Sequence, residues 1–128
     1  MTKVQILRCL EELTEAFNAH DLDRVMACFA EDCELDMPRG RQPWGTRAKG
    51  KPEVRRLLAT RFEGTPDVHY GNAEHFVDGA TGISKWTLSG TTPQGEKIEV
   101  NGCDFYTFRD GLAVRKDSYW KIVEPAQG

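Results

Sequence analysis

No stretch of this chain approaches the roughly 18 consecutive apolar residues of a membrane-spanning helix. Met1 is followed by a polar, helix-forming start rather than a basic flank and an apolar run. Neither membrane insertion nor secretion is expected, and the cytoplasm is the expected location. Positive charge is also short: the formal charge is −3, which argues against a general nucleic-acid binder, since phosphate contacts demand a basic surface. The four cysteines, Cys9, Cys28, Cys33 and Cys103, include no close-spaced pair of the metal or redox kind and read as reduced core thiols. There is no His-Glu-x-x-His, no glycine-rich phosphate loop and no metal partner at ligand spacing from His69 or His75. No metal or cofactor is implied. Repeats, low-complexity segments and linkers are missing too, so residues 1–128 form one domain, long enough to bury roughly two thirds of the unfolded surface.

What the sequence does contain is a change of period. Val4, Leu7, Leu10, Leu13 and Phe17 recur at steps of three and four, with Glu11, Glu12 and Glu15 opposite, which predicts an amphipathic helix over Lys3 to Ala19. Asp21 can cap a short second helix that buries Leu22, Val25, Met26 and Phe29, and His20 in the connection reads as structural. Cys33, Leu35 and Met37 alternate with Glu34 and Asp36, which predicts a strand ended by Pro38. The following loop to Gly50 has the length of a lid and an apolar anchor in Trp44. Its cations, Arg39, Arg41, Arg47, Lys49 and Lys51, come with no acid; they form either a solvated loop or a gate that attracts anions. A third helix, Lys51 to Glu63, starts near Pro52, buries Val54, Leu57, Leu58 and Phe62, and stops at Gly64. From Val68 onward the period is two, giving four consecutive antiparallel strands. The order α-α-β-α-β-β-β-β predicts an α+β fold in which a curved, mostly antiparallel sheet wraps the N-terminal helix as a cone with an open mouth.

The last two strands, Ile98 to Ile122, meet at Asp110-Gly111. A two-residue turn would set Asp104 against Asp117, whereas a three-residue loop with a glycine bulge sets Phe108 against Leu112, Tyr106 against Val114, Asp104 against Lys116, Val100 against Trp120 and Ile98 against Ile122. The second register is expected, because it makes one face apolar apart from the Asp104–Lys116 pair. A carboxylate placed there needs an explanation. The opposite face, with Cys103, Phe105 and Tyr119 among charges, is a candidate self-contact.

Phe29-Ala30-Glu31-Asp32 leading into Glu34-Leu35-Asp36-Met37-Pro38, with a closing Phe-x-Asp-Gly hairpin, resembles the nuclear transport factor 2 superfamily, and within it the SnoaL-like polyketide cyclases and ketosteroid isomerase. The resemblance covers nearly the whole chain and implies a cystatin-like cone, usually dimeric. By it, the isomerase's general-base Asp matches Asp36, and its second Asp, before an aromatic run, matches Asp104 ahead of Phe105-Tyr106-Thr107-Phe108. The chain departs from the isomerase where its two tyrosines would fall, near Leu13 and Leu58. It also lacks the histidine and aspartate that the cyclases place near Asp104 and Ser118.

These readings imply a proton-transfer site with Asp36 as base, Lys116 steadying an enolate oxygen and Asp104 holding Lys116 or shuttling a proton. The alternatives are an exposed strand-end acid for Asp36 and a structural ion pair for Asp104 and Lys116. Leu13, Phe17, Leu58, Trp86 and Leu88 are expected to wall the cavity. Trp44, Val100, Tyr106, Val114 and Trp120 are expected to do so too. The expected function is a cofactor-independent isomerase, cyclase or lyase acting on a small hydrophobic carbonyl compound; a binding protein for an apolar ligand and a dimerising interaction module are the alternatives.

Overall fold

The computed structural model describes residues 1–125. Helix α1 (Lys3–Asn18) begins at a capping box in which the Thr2 hydroxyl accepts from the Gln5 amide at 3.1 Å, while Gln5 Oε1 accepts from the Thr2 amide at 2.7 Å. The short α2 (Leu22–Met26) is capped by Asp21, and α3 (Lys51–Gly64) follows Gly50, whose φ of 86° suits glycine. Six strands follow in chain order: β1 (Phe29–Gln42), β2 (Gly45–Lys49), β3 (His69–Asp78), β4 (Thr81–Thr91), β5 (Lys97–Arg109) and β6 (Leu112–Trp120). They form one sheet in the order β2-β1-β6-β5-β4-β3, antiparallel except where β1 runs parallel to β6. The α+β architecture and the final run of four strands are as expected.

Helix α1 lies against this sheet and buries Ile6, Leu10, Leu13, Ala16 and Phe17. The expected stripe is rotated at its start: Val4 is 55% exposed and Ile6 takes its place in the core. Gly82 on β4 explains the close seat, since a Cβ there would stand 3.0 Å from Ile6 Cγ2 and Leu10 Cδ1.

Two expectations need correcting. The strand expected to end at Pro38 continues to Gln42 and turns back as β2, so the expected lid loop is a two-stranded ribbon. Pro38 is tolerated because the β1–β2 register shifts between Met37 and Gln42, where no ladder bond asks for its missing amide hydrogen. The β5–β6 hairpin has the two-residue turn, with Arg109 opposite Leu112 and positive φ at Asp110 (51°) and Gly111 (86°). A bulge follows, because Phe108 pairs with Ala113 but Thr107 pairs with Arg115, leaving Val114 as the extra residue. The bulge restores the expected inward face while moving its pairs by two: Asp104 faces Ser118, Tyr106 faces Lys116 and Gly102 faces Trp120. Ile122, expected opposite Ile98, lies beyond the strand and is 92% exposed.

Candidate active site

Asp104, Tyr106, Lys116 and Ser118 are buried on the concave side, where β5 and β6 face α1. The Asp104 carboxylate is held at both oxygens. Oδ2 accepts the Trp86 indole Nε1–H at 3.0 Å, and Oδ1 accepts the Lys116 ammonium at 3.0 Å and the Ser118 hydroxyl at 2.6 Å. Lys116 also donates to Ser118 Oγ at 2.5 Å, which closes a three-membered ring of hydrogen bonds. Gly102 makes the Trp86 contact possible: a Cβ there would lie 2.6 Å from the indole Cη2.

The pair is enclosed, with Asp104 4% and Lys116 5% exposed. Burial lowers the Lys116 pKa, and the Asp104 charge opposes that shift. Burial raises the Tyr106 hydroxyl well above its ordinary value. A carboxylate offers about four acceptor sites and an ammonium three donors. Among the described residues, Trp86 is the sole donor to Oδ2, and Lys116 gives two donors to Asp104 and Ser118. The rings of Phe17 and Tyr106, at 5.6 and 5.9 Å from Nζ, surround the remaining donor. An open acceptor and an open donor therefore sit side by side within the packed apolar core.

The polar row extends further across the sheet. His75 faces Ser84, Ser84 faces Asp104, and Asp104 faces Ser118. His75 Nδ1 lies 2.9 Å from Ser84 Oγ, and burial lowers the His75 pKa, with Glu11 pulling the other way. His20 Nε2, by contrast, meets the Val68 carbonyl at 2.6 Å, tying the α1–α2 connection to the start of the sheet.

Asp36 is not part of this cluster. Cys33 and Leu35 face the core, so the intervening alternation turns Asp36 to the other side of β1, where it stands opposite Arg47 and Asp117. It is 1% exposed because two guanidiniums cover it: Arg47 Nε and Nη2 at 2.8 and 3.0 Å, and Arg115 Nη2 at 2.5 Å. The hydrogen bond from Arg47, aided by Arg115, holds its pKa below the ordinary carboxylate range against the effect of burial. Asp36 and Asp104, expected to work on one substrate, therefore lie on opposite faces of the sheet.

Of the expected cavity wall, Leu13, Phe17, Leu58, Trp86, Leu88, Val100 and Tyr106 lie in the buried core cluster. Trp120 packs edge-on against Trp86 at 6.4 Å between ring centres and reaches the mouth. Val114 is the bulged residue, and Trp44 is 44% exposed at the ribbon tip, under the Arg47 guanidinium at 4.7 Å. Neither is in that core or lines the mouth beside it.

The mouth is a cleft of about 300 Å³ between α3, β1 and the ends of β5 and β6, which neither Asp104 nor Lys116 lines. Met37, Leu57 and Ile98 are apolar walls, and Arg39, Arg61 and Trp120 stand at its edge. Arg61 lies over the Trp120 ring at 4.4 Å and Arg39 at 5.7 Å. Arg61 also reaches inward electrically: burial raises the Tyr70 hydroxyl pKa, and the Arg61 charge opposes it. Sequence reasoning missed Arg61, Ser118 and the two arginines on Asp36. Arg61 was findable, since it stands three and four residues after Leu58 and Leu57 on the buried side of α3.

Comparison with curated proteins gave no match. Among solved structures, the chain is similar to a candidate polyketide cyclase from Xanthomonas campestris pv. campestris, with a TM-score of 0.83 at 20% identity over 93% of this chain and 92% of that one. It is similar to an NTF2-like protein of unknown function from Burkholderia pseudomallei (TM-score 0.81, 22% identity, 94% and 92% covered). It is also similar to TerC, co-crystallised with polyporic acid (0.79, 18%, 91% and 92%). At these identities the likeness is one of fold. The sequence itself matches the family model of the SnoaL-like domain across residues 10–116, from the middle of α1 to the lysine of the buried pair, and the chain therefore belongs to the SnoaL-like domain family.

Proposed function

We propose that this protein is a cofactor-independent isomerase, cyclase or lyase that moves a proton on a small hydrophobic carbonyl compound. The observation that carries the reading is the open lone pair of Asp104 Oδ2 beside the uncommitted donor of Lys116, both inside the apolar core. Asp104 takes a proton from the carbon next to the carbonyl. The electron pair moves into an enolate whose oxygen is stabilised by the Lys116 ammonium, and the proton returns at another carbon or to the oxygen. Trp86 and Ser118 position the carboxylate. Asp36 serves the outer face as an ion-pair centre. Because the pair is enclosed, the substrate enters past Arg61 and Trp120, whose side chains swing aside.

Ligand binding without turnover is the second reading, favoured by that same enclosure. The protein works as a homodimer in either reading, joined through the convex sheet face. Phe105 and Tyr119 form an edge-to-face pair there at 5.7 Å and are 40% and 54% exposed.

The deciding experiment is deuterium uptake at the α-carbon of a panel of hydrophobic ketones, with wild type, Asp104→Asn and Asp36→Asn in parallel. Uptake abolished by Asp104→Asn and retained by folded Asp36→Asn is the expected result. No uptake above buffer in any ketone that binds sinks the proton-transfer reading and leaves the binding protein.

A further inference from the structure

Most guanidiniums of this chain have acidic partners: Arg24, Arg47, Arg55, Arg56, Arg109 and Arg115 each lie within 4.0 Å of an Asp or Glu oxygen. Among the described residues Arg8, Arg39, Arg41 and Arg61 do not, and of these only Arg39 and Arg61 border one cleft. Among the described residues neither has a carboxylate within ion-pair distance, although both stand over one indole, that of Trp120. No Asp or Glu lines the cleft they border, while hydroxyls of Thr46 and Thr60 and the apolar side chains of Met37 and Leu57 do. Its volume of about 300 Å³ is at the small end of the roughly 300–1,000 Å³ seen for ligand pockets.

Stacking on an indole fixes the plane of a guanidinium but uses none of its N–H groups. Two such forks at one rim, with no acid to satisfy them, are arranged to receive a planar anion. An oxygen pair in one plane matches the fork, and the low water content of a half-buried cleft strengthens the bond. The buried Asp104–Lys116 pair deeper in is neutral overall, so it does not cancel the positive rim.

We propose that the mouth cleft binds a small hydrophobic carboxylate, its carboxylate held by Arg39 and Arg61 and its apolar body laid against Met37, Leu57 and Ile98. The ligand class is an aromatic or cyclic acid, and for the chemistry at Asp104 one that carries a ketone as well as its carboxylate. This rests on and deepens the proton-transfer reading by naming its substrate class: the acid group anchors at the rim, and the reacting carbons meet Asp104 once Trp120 has swung aside. Binding is read without turnover, so either idea can fail alone.

The test is calorimetric titration of wild type, Arg39→Gln, Arg61→Gln and the double variant with 2-naphthoate and, as its neutral match, 2-naphthamide. Arg41→Gln, an exposed arginine outside the cleft, controls for the general field. Wild type is expected to prefer the acid by about tenfold or more, the scale of one charge-assisted hydrogen bond. Each single variant loses part of that preference, the double variant loses it all while still unfolding at the wild-type temperature, and Arg41→Gln keeps it. Equal binding of acid and amide, no binding of 2-naphthoate at millimolar concentration, or equal losses in Arg41→Gln would overturn the proposal. Ketone exchange in wild type, scored separately, continues to test the chemistry at Asp104.

Discussion

Trp86 donates its indole N–H to Oδ2 of Asp104 at 3.0 Å, while Lys116 takes Oδ1 at the same distance, so the carboxylate is fixed from both ends. Removing one member of such a buried pair leaves the other charge unpaired. Lys116→Met and Asp104→Asn should each cost about 3–5 kcal/mol in urea unfolding. The double variant Asp104→Leu/Lys116→Met should recover most of that loss while remaining inactive toward ketones. A double variant as unstable as the sum of the singles would show that the two groups do not act as a pair.

Asp36 should matter for stability in a pH-dependent way. Its pKa is lowered by Arg47 and Arg115, so its stabilising contribution is complete above the unfolded carboxylate value of about 3.9. That contribution is lost as pH falls through the lower folded value. The stability gap between wild type and Asp36→Asn should accordingly be wide at neutral pH and close on acidification below about pH 4. Urea titrations at a series of pH values check this, and a gap that widens in acid would contradict it.

Gly102→Ala places a methyl 2.6 Å from the Trp86 ring and close to the Tyr119 carbonyl. The backbone cannot yield cheaply, so the indole must move and its bond to Asp104 must lengthen or break. A loss of about 1–3 kcal/mol is expected, together with a change in near-UV circular dichroism from the displaced tryptophan. An unchanged spectrum at wild-type stability would mean that the indole has room to spare.

The convex face gives a separate prediction. Phe105→Glu, at a position 40% exposed, should leave the melting curve of the protomer nearly intact while shifting sedimentation equilibrium from dimer to monomer. A wild-type chain that sediments as a monomer at micromolar concentration would remove the dimer from the proposal.

The frame of the molecule was legible because its signals are long-range in sequence: a helical period up to Phe17, then alternation from Val68 onward. What escaped was local. The stripes starting at Val4 and at Ile6 share Leu10, Leu13 and Phe17, so periodicity alone could not choose between them; the seat offered by Gly82 decides it. Strand β2 has one buried residue, Ala48, flanked by Arg47 and Lys49, and such charged edge strands look like loops.

The site divided in the same way. Asp104 and Lys116 were found as partners because their face was otherwise apolar, and the structure joins them. Asp36 was already grouped with Glu34 by simple alternation, and likeness to the isomerase drew it inward; the alternation was the better guide. Ser118 carries no charge that would single it out on its strand, although its hydroxyl bridges both charges of the pair.

Val114 is the slack link of β6, the one residue between Ala113 and Arg115 that no residue of β5 faces. Without Val114 the same pairs would form, Phe108 with Ala113, Thr107 with Arg115 and Tyr106 with Lys116, so its loss would leave Lys116 and Ser118 facing inward. The inward face depends on which residues pair rather than on how many stand between them, and the position between Ala113 and Arg115 is one the hairpin can do without.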